Sequence, residues 1–300
     1  MATLEKDLLP WRGGAVLQHR IEFSLFFDVT NGNPNGDPDA GNMPRLDPET
    51  GHGIITDVSL KRKVRNYIEL TREGQERFHI YVTEGGVLNE QHRRAYQAIR
   101  PDDAKSKELK PKDAAEAREL TRWMCNNFYD IRTFGAVMTT KVNAGQVRGP
   151  VQFSFARSLD PIFAQEVTIT RHAVTQEGVD KEREMGRKHI IPYALYRMDG
   201  YISAYLAEKT GFTSDDLNVL WEALIHSFEH DRSASRGQMA ARKLVVFEHD
   251  SKLGHAPAHH LFERIHIARS TDSAPRAYAD YSIAVDRDGL PAGITIRELE

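Results

Sequence analysis

The feature that most limits what this chain can fold into is a turn-rich segment, NGNPNGDPDAGNMPRLDPETGHG, at residues 31–53. Asparagine, glycine and aspartate favour turns, and proline lacks the amide that a central strand must donate. Neither helix nor inner strand fits this run, so a long loop is expected, and loops of that length within a compact domain usually carry function. Regular structure brackets it. Residues 20–30, RIEFSLFFDVT, alternate Ile21, Phe23 and Leu25 with polar partners before Phe26 and Phe27, which predicts a strand. After the loop, Thr56 or Asp57 can cap a helix running to about Arg72. Leu60, Val64, Tyr67 and Ile68 form its apolar face, with Lys61, Arg62 and Arg65 opposite and Lys63 at the flank.

The remainder reads as strands with one more helix and two polar interruptions. Residues 73–130 are mixed and more helical, and PDDAKSKELKPKDAAEAREL at 101–120 is too polar for core. Residues 134–142 suggest a short extended piece. GPVQFSFARSL at 149–159 predicts a strand with Val151, Phe153 and Phe155 on one face. Strands are also expected at 167–170, 190–205, 243–248, 261–269 and 281–285. The connector RHAVTQEGVDKEREMGRKH is charge-dense, a solvated loop or a protruding hairpin. A helix is predicted over 214–230, capped by Ser214, with Leu217, Leu220, Trp221, Leu224 and Phe228 inward. The fold class expected is α+β, a sandwich of ferredoxin or RRM type decorated by insertions.

Composition excludes several functions. Lys plus Arg number 40 against 43 Asp plus Glu, a net charge of −3, without the basic excess usual for nucleic-acid binders. No run approaches the ~18 apolar residues of a spanning helix. Residues 1–10 carry Glu5, Lys6 and Asp7 where a secretory signal needs an apolar stretch. A lone Cys125 excludes an internal disulfide and suits a reducing compartment. These point to a cytoplasmic chain with no membrane association; no cofactor is expected.

Enzyme-like motifs are thin. His226, Glu229 and His230 match the H-x-x-E-H spacing of inverted zinc peptidases. Leu224 and Phe228 take the core face, so these three are expected on a solvated one. Residues 31–42 open like a calcium loop but place Asn42 where a bidentate Glu is needed. Cys125 falls on an apolar stripe and reads as a buried thiol. Phosphate-binding potential is stronger: Arg45 in the loop and Lys61, Arg62 and Arg65 on the following helix could line a groove for a polyanion. RGPVQFSF, from Arg148 to Phe155, partly matches the RRM octamer, but Phe153 and Phe155 share the expected core face and read as packing.

Three segments in order carry a resemblance: residues 31–65, then DIRTFGAVM with GPVQFSFARSLDPI, then DRSASRGQMAARKLVVFEHD with GHAPAHHLFERI. Together they resemble the backbone subunit of the type I-C Cascade complex, in the RAMP superfamily of CRISPR-associated proteins. That resemblance implies one hand-shaped domain over residues 18–300, with a helical fingers insertion at 72–148, a thumb at 171–192 and an N-terminal extension at 1–17. It implies a non-catalytic subunit that polymerises along CRISPR RNA, presents the guide to target DNA, and meets further copies of itself, a guide 5′-end-binding subunit and large and small subunits. Asn31, Arg45, Ser59, Lys61 and Arg65 match RNA-backbone contacts of the family. Arg62, Arg148 and Arg171 are further RNA-binding candidates. Phe134, Met185 and Arg187 are candidates to wedge where a nucleotide is displaced, and Ser235 and Arg236 belong to the same group. In related type III subunits a loop Asp cleaves target RNA, and Asp37 and Asp39 occupy that loop here; both are expected to form turns.

Overall fold

The computed structural model describes residues 14–171 and 184–299. In chain order these form β1 (Ile21–Gly32), β2 (Gly36–Asp37), β3 (Met43–Pro44), β4 (His52–Ile55), α1 (Asp57–Thr71), α2 (Leu88–Ile99), α3 (Ala114–Asn127), α4 (Tyr129–Phe134), β5 (Gly135–Thr139), β6 (Asn143–Arg148), β7 (Val151–Phe153) and β8 (Ala156–Pro161). There follow β9 (Gln165–Arg171), β10 (Glu184–Ile202), α5 (Ala204–Thr210), α6 (Ser214–Ile225), β11 (Gln238–His249), α7 (Ala258–Phe262), β12 (Ile265–Arg269), β13 (Tyr281–Val285) and β14 (Ile294–Leu299).

The α+β class expected from the sequence is the one observed. An antiparallel sheet runs β14-β11-β1-β10-β8-β4, with β7 also on β10. Its middle is β1, paired from Ile21↔Ile202 to Gly32↔Ile191 on one side and with β11 on the other. Alternation sends Ile21, Phe23, Leu25, Phe27 and Val29 into the main core beneath α1 and α6. Phe26 points to the opposite face and joins a smaller cluster with Val245, Phe247, Leu261 and Phe262. Covered on both sides, β1 is almost wholly buried. A third cluster gathers Tyr96, Leu120, Met124, Cys125, Phe128 and Met138 between α2, α3, β5 and β6. Among the described residues, no helix is long and apolar enough to cross a membrane.

Several boundaries differ from expectation for physical reasons. The helix predicted over 214–230 ends at Ile225, and its cap is Thr213, which forms a reciprocal capping box with Asp216. The strand expected at 149–159 breaks at Ser154 and Phe155. Ser154 Oγ there accepts the Asp199 amide, and the alternation shifts by one residue. Phe155 is consequently 54% exposed, while Val151 and Phe153 are buried. The strand expected at 261–269 begins as helix α7 and only then becomes β12. Lys63, placed on the helix flank by sequence, is 4% exposed.

β10 is longer than the sheet. From Ile191 onward it pairs with β1, but residues 184–190 pair only with β9. Seven residues at about 3.3 Å each carry this hairpin some 20 Å beyond the sheet. The rest of the charge-dense connector, residues 172–183, lies outside the described residues, as does most of the expected N-terminal extension. Leu17, at the end of that extension, is fully buried in the main core.

Candidate nucleic-acid interface

The loop, the first turns of α1 and the turn before β11 meet at one end of the sheet. Asn31 has φ +50, a left-handed conformation that asparagine tolerates. It directs the chain so that the Asn33 amide donates to Ser235 O at 2.7 Å. This approach requires glycine at position 32, because a Cβ there would lie 1.9 Å from Arg236 O. Lys188, at the base of the β9–β10 hairpin, donates to Ala234 O at 2.7 Å. The hairpin base, β1's end and the 233–237 turn are thereby fastened together.

The loop also builds the start of α1. Asn35 Oδ1 accepts both the Thr56 amide (3.0 Å) and the Thr56 hydroxyl (3.2 Å). Thr56 Oγ1 in turn accepts the Ser59 amide. Asp37 Oδ1 accepts the Asp39 amide at 3.2 Å and faces Arg45 at 3.5 Å. Asp37 thus caps a turn of the loop.

These elements enclose a cavity of about 340 Å³ lined by Asn33, Asn35, Asn42, Ser59, Arg62 and Arg236, among others. Val58 and Arg62 also line a neighbouring cavity of about 570 Å³ that continues along α1 past Arg65 to Val82 and His230. The two form one groove across the helix N-terminus, whose first-turn amides add partial positive charge. In the smaller cavity three cations, Arg62, Lys63 and Arg236, stand against one carboxylate, Asp231. Asp231 pairs with both Lys63 and Arg236 and so ties the turn to the helix. Burial lowers the Lys63 pKa, and the Asp231 carboxylate opposes that shift.

The predicted residues do not all share this groove. Asn31, Ser235 and Arg236 adjoin through the backbone, and Ser59 and Arg62 face them across the cavity. Arg45 lies behind, bonded by its amide to Asn35 O. Arg65 lines the larger cavity, while Lys61, one turn before it, lines neither; each is held by a carboxylate, Lys61 by Asp57 at 2.9 Å and Arg65 by Asp130 at 2.8 Å. Both cations lie over the Phe134 ring, at 5.5 and 5.6 Å. Phe134 itself is 7% exposed and meets Phe153 edge-on, so its ring is packing and not a free stacking surface. Met185 and Arg187 stand on the projecting hairpin; Met185 is 75% exposed and Arg187 pairs with Glu166 at 3.1 Å. Arg171 ends β9 opposite Glu184, at the edge of the described residues. Arg148 lies apart, at the end of β6 beside α3 and α5.

Sequence reasoning missed Asn33, Asn35, Lys63, Lys188 and Asp231. Only the asparagine-rich spacing of the loop could have signalled the first two; the others depend on distant partners.

The zinc-like spacing loses its premise. His226 is already beyond the last residue of α6, so the i, i+4 geometry of a helix does not apply. His226 instead stacks on Tyr67, and Glu229 pairs with Arg232. Cys125 is buried, which pushes its thiol up to about 12.

Residues 19–286 match the family model of the CRISPR-associated protein Cas7. A protein of Haloferax volcanii described as "CRISPR-associated protein Cas7" is 30% identical over 235 residues, covering 69% of this chain and 64% of that protein, under two thirds of its length. Among solved structures, a chain of a "CRISPR RNA-guided surveillance complex, pre-nicking" is similar over 76% of this chain and 78% of that one, at 15% identity and a TM-score of 0.49. A chain of the "Type III-B Cmr-beta bound to cognate target RNA" covers 76% and 61%, at 14% identity and 0.42.

Proposed function

The chain belongs to the CRISPR-associated Cas7 family, and from that premise we propose that it is a backbone subunit that grips CRISPR RNA by its phosphates. The observation that carries the reading is the groove where the asparagine loop, the α1 N-terminus and the 233–237 turn converge, with three cations against one carboxylate in its smaller cavity. A guide must pair with any target, so its subunit should hold phosphate and ribose and leave base edges exposed. Backbone amides, asparagines, serines and arginines are suited to that, and Met185, exposed on the projecting hairpin, would press against a displaced base.

In this reading copies of the chain line up along the guide as the backbone of a cytoplasmic type I-C Cascade complex. They present the guide to target DNA beside a 5′-end-binding subunit and large and small subunits. The order of the three resembling segments supports the type I-C assignment. The chain itself is a scaffold and not a nuclease; Asp37 already serves a turn and Arg45.

The test is RNA binding followed by fluorescence anisotropy, with two guides of unrelated sequence. Charge reversal by Arg62→Glu and Lys188→Glu should weaken both equally, and the dependence of binding on salt should become shallower by about one ion per lost contact. Undiminished affinity in the double variant, or loss for one sequence only, would contradict this groove as the backbone grip.

A further inference from the structure

A second group of cations collects away from the groove. Helix α3, strand β6 and helix α5 pack against one another, and a cavity of about 350 Å³ opens at their junction. Arg118 and Arg122, one turn apart on α3, line it with Arg148 from β6 and Lys209 from the last turn of α5. No aspartate or glutamate is among its described lining residues. Arg118, Arg148 and Lys209 are exposed, and among the described residues none of the three forms an ion pair. This contrasts with Lys61, Lys63 and Arg65, each held by an aspartate.

A second observation points the same way. Thr210, which also lines the cavity, is 1% exposed, and its hydroxyl has no hydrogen-bond partner. Buried hydroxyls are nearly always satisfied, so an unpartnered one beside a cationic cavity marks a place for an acceptor. The neighbouring Cys125 thiol is neutral and brings no competing charge.

We propose that this cavity is a binding site for a phosphate group, separate from the guide groove. Arginine forks match phosphate oxygens in pairs, Lys209 adds a point charge and Thr210 a neutral donor. The groove lies where β10 enters the sheet at Ile191, whereas the cavity adjoins α5, beyond β10's other end at Ile202. Eleven residue steps of strand, roughly 35 Å, separate the two ends. A single phosphate held in one groove cannot span that distance. The phosphate can come from a nucleic-acid backbone or from a free phosphate species, and the chemistry of capture is the same.

The test uses the full chain and does not require guide binding. Thermal unfolding is followed in rising inorganic phosphate at constant ionic strength, for the wild type and for Arg118→Glu with Arg148→Glu, both exposed positions. Phosphate should raise the wild-type melting temperature and leave the double variant unmoved. Thr210→Val, which keeps shape but removes the hydroxyl, should lower phosphate affinity without losing stability. Arg62→Glu, in the guide groove, should keep the full phosphate effect. A labelled DNA duplex separates the sources. Binding roughly tenfold weaker in the double variant assigns a nucleic-acid phosphate, and unchanged DNA binding with phosphate protection lost assigns a free one. Equal phosphate protection in wild type and double variant, or no effect of phosphate or DNA on either, overturns the proposal.

Discussion

Arg132 and Asp216 form a bidentate ion pair in the interior, with Nε to Oδ2 at 2.9 Å and Nη2 to Oδ1 at 2.8 Å. Arg132 is fully buried and Asp216 is 1% exposed. The pair joins α4, which continues the α2–α3 cluster, to the first turn of α6 against the sheet. Asp216 also closes the α6 capping box and faces Arg77 at 3.3 Å. Removing one partner strands the other charge, which costs about 3–5 kcal/mol in buried pairs. Asp216→Ala should therefore lower unfolding stability by that order in a urea titration. A loss under about 1 kcal/mol would mean that the pair does not bind the two clusters together.

The same carboxylate predicts an acid dependence. Burial alone would push the Asp216 carboxyl up, but Arg132, the Thr213 amide and Arg77 outweigh burial and hold it below the ordinary value of 3.8. Below about pH 4 the unfolded chain binds the proton more readily than the folded one. The stabilisation is therefore complete above about pH 4 and is lost as pH falls through the lower folded value. Wild type and Asp216→Asn should differ most near neutrality and converge in acid. A gap that widens on acidification would reverse the sign and refute the assignment.

Adjacent arginines of α1 should separate RNA binding from folding. Arg62 is 60% exposed with an even more exposed partner, Glu84, so Arg62→Glu should change stability by no more than about 0.5 kcal/mol while weakening RNA. Arg65 is 12% exposed against Asp130, whose oxygens also accept the Tyr81 and Val82 amides at 2.8 and 3.1 Å. Arg65→Glu sets two carboxylates together in the interior and should unfold the protein at lower temperature. Calorimetry beside RNA titration checks the pair; equal thermal effects would erase the distinction.

Local pattern explains what the sequence made visible. The alternation of Ile21, Phe23 and Leu25 and the stripe of Leu60, Val64 and Ile68 are periodicities that neighbouring residues carry on their own. What stayed hidden depends on distant partners. Lys63 reads as a flank residue because Asp231, which draws it inward, is 168 positions away. Asp130 and Asp216 look like surface acids for the same reason. Phe155 was expected inward by a period of two, and the backbone break at Ser154 reverses that phase. Phe134 is aromatic in a motif that suggests stacking, yet its ring is spent beneath Lys61 and Arg65. The groove itself was half legible: Ser59 and Arg62 by their place at a helix start, but not Lys188, whose bond to Ala234 closes the site.

Asp37 and Asp39 test whether the loop has chemistry. Asp37 faces the Asp39 amide and Arg45, and on the proposed scaffold reading its role is conformational. Purified protein loaded with guide should leave complementary RNA intact in magnesium. Asp37→Ala should cost about 1 kcal/mol of stability through the lost cap. Regularly spaced RNA cuts that vanish in Asp37→Ala or Asp39→Ala would instead identify a nuclease.

Gly32 offers the most local test of the groove's construction. A methyl group at this position would sit 1.9 Å from Arg236 O and 2.8 Å from the Gly237 amide nitrogen, both backbone atoms that cannot rotate away. Gly32→Ala must therefore part β1 from the 233–237 turn and break the bond from the Asn33 amide to Ser235 O. Overpacking of this kind costs about 1–3 kcal/mol. Because the turn also anchors Lys188 and Arg236, RNA affinity should fall together with stability. Hydrogen exchange locates the effect: the Asn33 amide should lose protection, while amides of α3 and α4, at the far end, keep theirs. Uniform loss across the molecule would show that position 32 supports the whole sheet and not this corner of the groove.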